Sequence, residues 1–221
     1  MLTFYYHPLS PVARRVWIAL LEKGLDYDPI VVNLRGEQLK PDFLALNPFH
    51  HVPVLVDDGF RVLESLAILD YLEQKYPSPR LLPSSPEAIA TVRMVQMVTV
   101  NEITTRFLGL VMRESDPQGF EDARQHIDIA LAFLDQQLNH ALYFGGDTLT
   151  LGDIVLGPTL SLSCRLGLSI AAYPALTDWF QRVSERESWT KTEPNDRDFA
   201  AWKKWVTLMV KRRQRQIANA S

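Results

Sequence analysis

Cysteine is nearly absent from this sequence, since Cys164 is the only one among 221 residues. A single cysteine excludes an intramolecular disulfide and fits a compartment in which thiols stay reduced. Because Cys164 lies in an apolar stretch, the sequence predicts a small buried hydrophobic residue there and not a reactive thiol. A hydrophobic core must therefore hold the fold, and a hydrophobic content of 47% is enough for one.

The sequence also lacks long hydrophobic runs and an excess of charge. No apolar stretch reaches 18 residues, so no transmembrane helix is predicted. The first residues, MLTFYYHPLSP, have neither the basic start nor the apolar run of a signal peptide. A net charge of −3 argues against nucleic acid or an anionic membrane as a partner. These observations predict a cytoplasmic protein.

Strands and helices alternate in the first third of the chain. Residues 2–6 are apolar and aromatic, which predicts a buried strand. Ser10-Pro11 begins a helix in the preferred way, with serine at the N-cap and proline in the first turn. Residues 27–33 predict a second strand, and Pro29 within it indicates an edge position in the sheet.

A strand–turn–strand–helix pattern follows. Residues 52–56 (VPVLV) predict a short strand, residues 57–59 (DDG) a tight hairpin turn, and residues 60–63 the returning strand. Apolar residues at helical spacing then predict a helix that opens at Glu64-Ser65. With a short helix before the third strand, the order is βαβ–ββα, which is that of a thioredoxin-like domain.

The rest of the chain predicts helices after a linker rich in proline and serine. Residues 87–113 and 120–140 predict two long amphipathic helices, and residues 174–186 predict a shorter one. Thr150 to Asp153 is a variant capping box with aspartate in the usual place of glutamate. We interpret this box as a folding element and not as a binding site.

The residues around the third strand predict a ligand site. If the Val52-Pro53 bond is cis, the N–H and C=O of Val52 face outward and can dock an extended peptide. The helix that follows offers free N–H groups and the Ser65 hydroxyl to a carboxylate, and Glu64 suits an ammonium group. One end of this site fits an amino-acid head group and the other a peptide backbone, which together describe a site for glutathione.

At these residues the chain resembles a known family. The segments VPVL and LESLAILDYLE resemble the glutathione-binding half of cytosolic glutathione transferases. The segments HPLSPVARRVWIALLEKG and LTLGDI resemble the same family, so the resemblance covers most of the chain. The nearest classes are the serine-type ones, such as phi, theta and their bacterial relatives.

The resemblance implies a two-domain fold and a reaction. The expected fold class is an α/β thioredoxin-like N-terminal domain plus an all-α helical C-terminal domain. The expected divisions are residues 1–76 for glutathione binding, residues 77–86 for the linker and residues 87–221 for the helices that line an electrophile pocket. The expected activity is attack of the glutathione thiolate on small apolar electrophiles.

Ser10 is the expected catalytic residue. By its sequence context it is a helix N-cap, and a hydroxyl at a helix N-terminus is also well placed to stabilise an anion. Tyr6 is the alternative, because Tyr6-His7-Pro8 resembles the Tyr-x-Pro of tyrosine-type transferases. No cysteine lies near position 10, which argues against the cysteine-type relatives.

The resemblance also implies the glutathione contacts. Gln38 and Lys40 lie where relatives place polar contacts to the glycine carboxylate, and His51 lies where relatives usually carry glutamine. The full set of expected binding residues is Gln38, Lys40, His51, Val52, Pro53, Glu64 and Ser65. No metal is expected at His50-His51, because adjacent histidines cannot easily face one ion and no acidic or cysteine partner lies at metal-ligand spacing.

An electrophile pocket is expected between residues 9–12 and the helical domain. Residues 101–112 and Trp202 are its candidate walls. A homodimer is also expected, since several classes place an aromatic key where this chain has Phe49. The alternative is a loop phenylalanine that packs within its own domain.

Two other functions stay open. One is a different glutathione-dependent enzyme, such as a dehalogenase or a maleylacetoacetate-type isomerase. The isomerases usually carry Ser-Ser-Cys where this chain has Pro-Leu-Ser. The other is a non-catalytic carrier of glutathione or another ligand, against which the retained Ser10 and Glu64-Ser65 argue.

Overall fold

A four-stranded sheet with the strand order β2-β1-β3-β4 organises the first third of the protein. The computed structural model describes residues 1–138 and 140–218, with side chains as far as residue 212. The strands are β1 (Leu2–Tyr6), β2 (Tyr27–Val31), β3 (Val54–Asp57) and β4 (Phe60–Leu63). The helices among them are α1 (Pro11–Glu22), α2 (Pro41–Leu46) and α3 (Ser65–Lys75).

The sheet agrees with the predicted βαβ–ββα order. Strands β1 and β2 are parallel, and α1 connects them, while β3 pairs with both β1 and β4 in the antiparallel direction. Strand β2, with Pro29 inside it, lies at one edge of the sheet, because proline has no N–H to donate to a second neighbour. The predicted thioredoxin-like part of the fold is therefore confirmed.

Helices make up the remainder of the described chain. They are α4 (Pro86–Val98), α5 (Phe107–Val111), α6 (Pro117–Leu138), α7 (Leu151–Arg165), α8 (Pro174–Ser184), α9 (Glu187–Thr192) and α10 (Asp196–Ala218). Helix α7 is the centre of this part, since every residue from 151 to 163 is buried. Helix α1 packs against both α3 and α7 and so joins the sheet to the helices.

One predicted helix is interrupted in the structure. The helix predicted over residues 87–113 contains a π-helical turn at Thr99–Ile103 and a 3₁₀ turn at Thr104–Arg106, and only then continues as α5. A π turn inserts one extra residue and rotates the side chains that follow it. The rotated Thr104 hydroxyl accepts a hydrogen bond from Arg15 of α1, 3.1 Å away. The helix predicted over residues 174–186 is confirmed as α8, and the separate helix α9 begins at Glu187, just beyond the predicted range.

The capping box at the start of α7 is confirmed. The Thr150 hydroxyl accepts from the Gly152 N–H, and the Asp153 carboxylate accepts from the Thr150 N–H at 2.7 Å. Leu149 and Ile154, on either side of the box, are both buried. The arrangement satisfies N–H groups that a helix start otherwise leaves without partners.

None of the helices in the described part of the chain is long and apolar enough to cross a membrane.

Candidate functional site

The expected site residues leave the sheet at a single edge. Tyr6 pairs with Val31, Tyr5 with Val54, and Val54 with Leu63. The carboxyl ends of β1, β2 and β4 and the amino end of β3 therefore lie side by side. The structure thus brings Ser10, Val52-Pro53 and Glu64-Ser65 to one edge, and the loop with Gln38 and Lys40 starts there as well.

Ser10 caps α1 as predicted. Its backbone is extended, with φ −83° and ψ 112°, and its Oγ accepts from the Ala13 N–H at 3.2 Å. A hydroxyl that accepts in this way keeps its own proton free to donate. No acidic residue lies in the first turn of α1, so the positive end of the helix dipole is not neutralised there.

Tyr6 lies in the core beneath the same edge. Its side chain is 7% exposed and stacks on Phe4, with 4.8 Å between ring centroids. The Trp17 ring packs edge-on against it, also with 4.8 Å between centroids. Burial raises the pKa of the Tyr6 phenol, which makes it a less ready partner for proton transfer than a free phenol. This environment favours Ser10 over Tyr6 as the candidate catalytic hydroxyl.

The Val52-Pro53 peptide bond is cis. Both residues are buried against the core. Neither the N–H nor the C=O of Val52 is bonded to another residue of the described chain. These two groups are therefore available to an extended peptide ligand, as expected from the sequence.

Glu64 adopts an unusual backbone conformation at the start of α3. Its φ of 66° lies in the left-handed region, which costs a residue with a side chain roughly 1–3 kcal/mol. The Glu64 side chain is exposed, whereas Ser65, the first residue of the helix, is 5% exposed. Glu64 is thus an exposed acid at the N-cap of α3, and its side chain accepts no hydrogen bond from the N–H groups of the first turn.

Arg15 is a candidate functional residue that the sequence analysis missed. It is 2% exposed, and its guanidinium donates to the hydroxyls of Thr104 and Thr159 at 3.1 and 2.9 Å. A third, longer bond of 3.5 Å reaches the Ser65 Oγ. Its Nε has no partner among the described residues, and its cation pairs with no described carboxylate.

The charge of Arg15 persists although it is buried. Burial lowers the pKa of the guanidinium to about 10, so it remains a cation at neutral pH. A positive charge therefore lies behind the Ser65 end of the site, where an anionic ligand would meet it. The sequence signal was available, because Arg15 falls three residues before Ile18 and four before Ala19, on the buried face of α1.

The remaining expected contacts lie on the loops around the site. Both ends of the Gln38 amide are used within its own loop, since Nε2 donates to the Leu34 carbonyl and Oε1 accepts from the Gly36 N–H. The side chains of Lys40 and His51 are exposed. All three residues remain predicted contacts, and a ligand would have to compete for the Gln38 amide.

A cavity of about 300 Å³ lies beside the turn that carries Ser10. It is open to solvent on one side and forms between the turn after β1, the loop after β2 and α10. Its lining residues are His7, Pro8, Leu9, Val31, Asn33, Leu34, Arg35, Asp198, Ala201, Trp202 and Trp205. Leu9 and Trp202 lie on this cavity as expected, but residues 101–112 do not line it. After the π turn, α5 packs against α6 instead.

Within residues 1–138 and 140–218, no group of three or more histidine, cysteine, aspartate or glutamate side chains could hold a metal ion. The rings of His50 and His51 stand 6.1 Å apart and nearly perpendicular.

Comparison with known proteins relates both parts of the chain to one family. Residues 4–80 match "Glutathione S-transferase, N-terminal domain", and residues 98–187 match "Glutathione S-transferase, C-terminal domain". The chain is 30% identical to glutathione S-transferase D7 of Drosophila melanogaster over 82% of its own length and 84% of the relative. It is 31% identical to maleylacetoacetate isomerase of Rattus norvegicus over 86% of its own length and 91% of the relative. It is also similar to the solved structure of a glutathione transferase homologue from Sulfitobacter with bound glutathione. The identity is 29% and the TM-score 0.74, and the match covers 86% of this chain and 96% of the homologue.

Proposed function

This chain belongs to the cytosolic glutathione transferase family, which is a family of enzymes, and we propose the following mechanism for it. It binds glutathione at the sheet edge described above and conjugates the glutathione thiolate to small apolar electrophiles held in the adjoining cavity. Ser10 donates the hydrogen bond that stabilises the thiolate. The expected place of action is the cytoplasm, where the thiol of a lone Cys164 stays reduced.

One observation carries the proposal. The free hydroxyl proton of Ser10, the unpaired peptide groups of Val52 and the start of α3 at Glu64-Ser65 share a sheet edge next to an apolar cavity. These three features match a thiol, a peptide backbone and a γ-glutamyl head group in that order. Residues 1–76 would then form the glutathione-binding domain, 77–86 the linker and 87–221 the helical domain.

Glutathione binding should depend on Glu64 and Ser65. Glu64→Ala and Ser65→Ala each remove a hydrogen bond to a charged group of the ligand, which typically costs about 1.5–3 kcal/mol. We therefore expect each variant to weaken glutathione binding roughly tenfold or more. Isothermal titration calorimetry measures the affinity, and the rate of benzyl chloride conjugation reports whether the bound thiol reacts.

Glu87→Ala serves as the control, because Glu87 is an exposed acid in the first turn of α4, away from the site. It should bind glutathione as the unchanged protein does. Unchanged affinity in both site variants would refute the assigned γ-glutamyl site. Glutathione binding without turnover of any electrophile would favour a non-catalytic carrier.

An isomerase is the second candidate function. It is supported by the 31% identity to the rat maleylacetoacetate isomerase over 196 residues. Against it, Pro8-Leu9-Ser10 replaces the Ser-Ser-Cys that such isomerases usually carry. Isomerisation of maleylacetoacetate that outpaces benzyl chloride conjugation would establish this alternative.

We also propose that the enzyme is a homodimer in which Phe49 of each protomer enters the helical part of its partner. Phe49 is 56% exposed, on a turn held by the Asn47 side chain, whose Oδ1 accepts from the Phe49 N–H at 2.9 Å. A largely apolar cavity of about 250 Å³ could receive it. That cavity is lined by Val98, Glu102, His126, Ile129, Ala130 and Phe133.

Light scattering should give twice the monomer mass of 25.2 kDa at micromolar concentration. Phe49→Ala removes an aromatic anchor, a kind of residue whose truncation often costs 2 kcal/mol or more, so it should raise the dimer dissociation constant about 30-fold. Phe60→Ala is the matched control, because Phe60 is similarly exposed at 60% but lies on the β3–β4 hairpin. A monomer mass for the unchanged protein would refute the dimer.

A further inference from the structure

His7 lies in the same turn as the proposed catalytic serine. The His7 carbonyl accepts a hydrogen bond from the Ser10 N–H at 2.9 Å, which closes a four-residue turn from His7 to Ser10. The imidazole Nδ1 accepts a second bond, from the Leu9 N–H at 3.2 Å. Both the backbone and the ring of His7 are thus held next to the place where the thiolate is stabilised.

The bond to Leu9 determines the tautomer of His7. A nitrogen that accepts from an N–H must present its lone pair, so the proton of the neutral ring resides on Nε2. Burial, together with the nearby Arg35 cation, lowers the pKa of the imidazole below its ordinary value of 6.5. His7 is therefore neutral at pH 7, with one N–H to donate, and Nε2 is bonded to no other residue of the described chain.

His7 lies on the wall of the cavity proposed for the electrophile. The wall is mainly apolar, with the indoles of Trp202 and Trp205 and the side chain of Leu9 among its members. The charged groups on it are Arg35 and Asp198. A fixed donor in surroundings from which water is partly excluded stabilises a developing negative charge more strongly than a donor in bulk water does.

We propose that His7 is a catalytic residue that donates a hydrogen bond from Nε2 to the oxygen of α,β-unsaturated carbonyl electrophiles, and that such compounds are preferred substrates. This inference rests on the proposed transferase function. In the reaction the thiolate sulfur bonds to the β-carbon, the C=C electron pair moves toward the carbonyl carbon, and the carbonyl oxygen becomes an enolate oxygen. Water then protonates the α-carbon, so no group leaves and no oxidant is needed.

The hydrogen bond from the Leu9 N–H does not by itself require a histidine at position 7. An asparagine side chain also accepts readily from the N–H two residues further along the chain, so this bond gives Nε2 no role. Matched variants can therefore separate the acceptor for Leu9 from the donor at Nε2. His7→Asn keeps the acceptor for Leu9 but has no donor at the position of Nε2, His7→Gln carries an amide N–H near that position, and His7→Phe keeps a ring with neither group.

The test compares two electrophiles that share a phenyl ring. Phenylbutenone forms an enolate when the thiolate adds, whereas benzyl chloride loses chloride and develops no charge on oxygen. His7→Asn and His7→Phe should lower kcat for phenylbutenone about ten- to a hundredfold, since removal of one oxyanion donor commonly costs about a hundredfold or more. Any loss of kcat for benzyl chloride should be several-fold smaller, so the ratio of the two rates should fall, and His7→Gln should recover much of the lost phenylbutenone rate.

Three outcomes would overturn the proposed role of His7. Equal losses on both electrophiles in His7→Phe and His7→Asn would overturn it, because they would indicate damage to the turn. Unchanged phenylbutenone rates would also overturn it, and with benzyl chloride still conjugated the transferase function would stand. If the unchanged enzyme conjugated neither compound nor any other electrophile, both the inference and the proposed function would fail.

Discussion

Replacing Ser10 with alanine should lower the rate of conjugation by ten- to a thousandfold. The glutathione thiol has a reference pKa near ~8.5 and must be a thiolate at neutral pH. Lowering that pKa by about two units requires roughly 2.7 kcal/mol of preferential stabilisation of the anion. A hydrogen bond to a charged acceptor supplies roughly 1.5–3 kcal/mol, and the dipole of α1 adds about 0.3–1 kcal/mol.

Ser10 can supply both contributions from one position. Its Oγ accepts from the Ala13 N–H, so its own proton is free for the thiolate. No base is needed, because the lowered pKa itself lets the thiol proton leave. We therefore expect Ser10→Ala to lower kcat, at about 1.4 kcal/mol for each decade, and to raise the kinetic pKa of bound glutathione. Rate–pH profiles measure both effects.

Two controls separate this effect from its alternatives. Ser85→Ala removes an equivalent helix cap, since the Ser85 Oγ also accepts from a backbone N–H at 3.2 Å, but at the start of α4. Its activity should be unchanged. Tyr6→Phe should stay within a few-fold of the unchanged enzyme, because the Tyr6 phenol is buried among aromatic rings. The reverse pattern would transfer the role to Tyr6, and full activity in both site variants would mean that neither hydroxyl activates the thiol.

Replacing Asp153 with alanine should lower the free energy of unfolding by about 3–5 kcal/mol. Asp153 is fully buried and accepts four hydrogen bonds. They come from the N–H groups of Phe144 and Thr150, the Thr150 hydroxyl and the Trp179 indole, at 2.7–3.0 Å. Burial raises the pKa of the carboxyl to about 6 against the opposing effect of these donors, so it is ionised at neutral pH.

The size of the loss follows from what alanine would leave behind. The two N–H groups and the indole would stay buried without an acceptor, and each such group costs about 1–3 kcal/mol. The carboxylate also links the start of α7 to α8 and to the segment at Phe144. Its loss should therefore weaken the packing of the helical part and not only one helix cap.

Thermal unfolding followed by circular dichroism measures the effect. A protein of this size changes its midpoint by roughly 2–4 °C per kcal/mol, so we expect a decrease on the order of 10 °C. Asp178→Ala, at an exposed position on α8, is the control and should leave the midpoint unchanged. A decrease of less than about 2 °C for Asp153→Ala would mean that water or a rearrangement satisfies the buried donors.

Features that depend on near neighbours in the chain could be predicted from the amino-acid sequence. The helix cap at Ser10, the edge position of the strand with Pro29 and the capping box at Thr150 and Asp153 are all as predicted. Each follows from the stereochemistry of a few consecutive residues, and the alternation of strands and helices follows from hydrophobic periodicity. The convergence of Ser10, Val52 and Ser65 was predictable too, since the βαβ–ββα order brings these strand ends to one edge.

Features that join distant parts of the chain became visible in the folded protein and could not be predicted from the sequence. The π turn at Thr99–Ile103 has no marker in its own residues, and Arg15 is enclosed by Thr104 of the 3₁₀ turn and Thr159 of α7, which are distant from it in the sequence. The walls of the cavity depend on where α10 crosses the loops after β1 and β2, and residues 101–112, which were predicted to line the electrophile pocket, do not line this cavity. The free nitrogen of His7 became apparent from its bond to Leu9. Such contacts depend on side-chain packing between elements, which periodicity and capping rules do not encode.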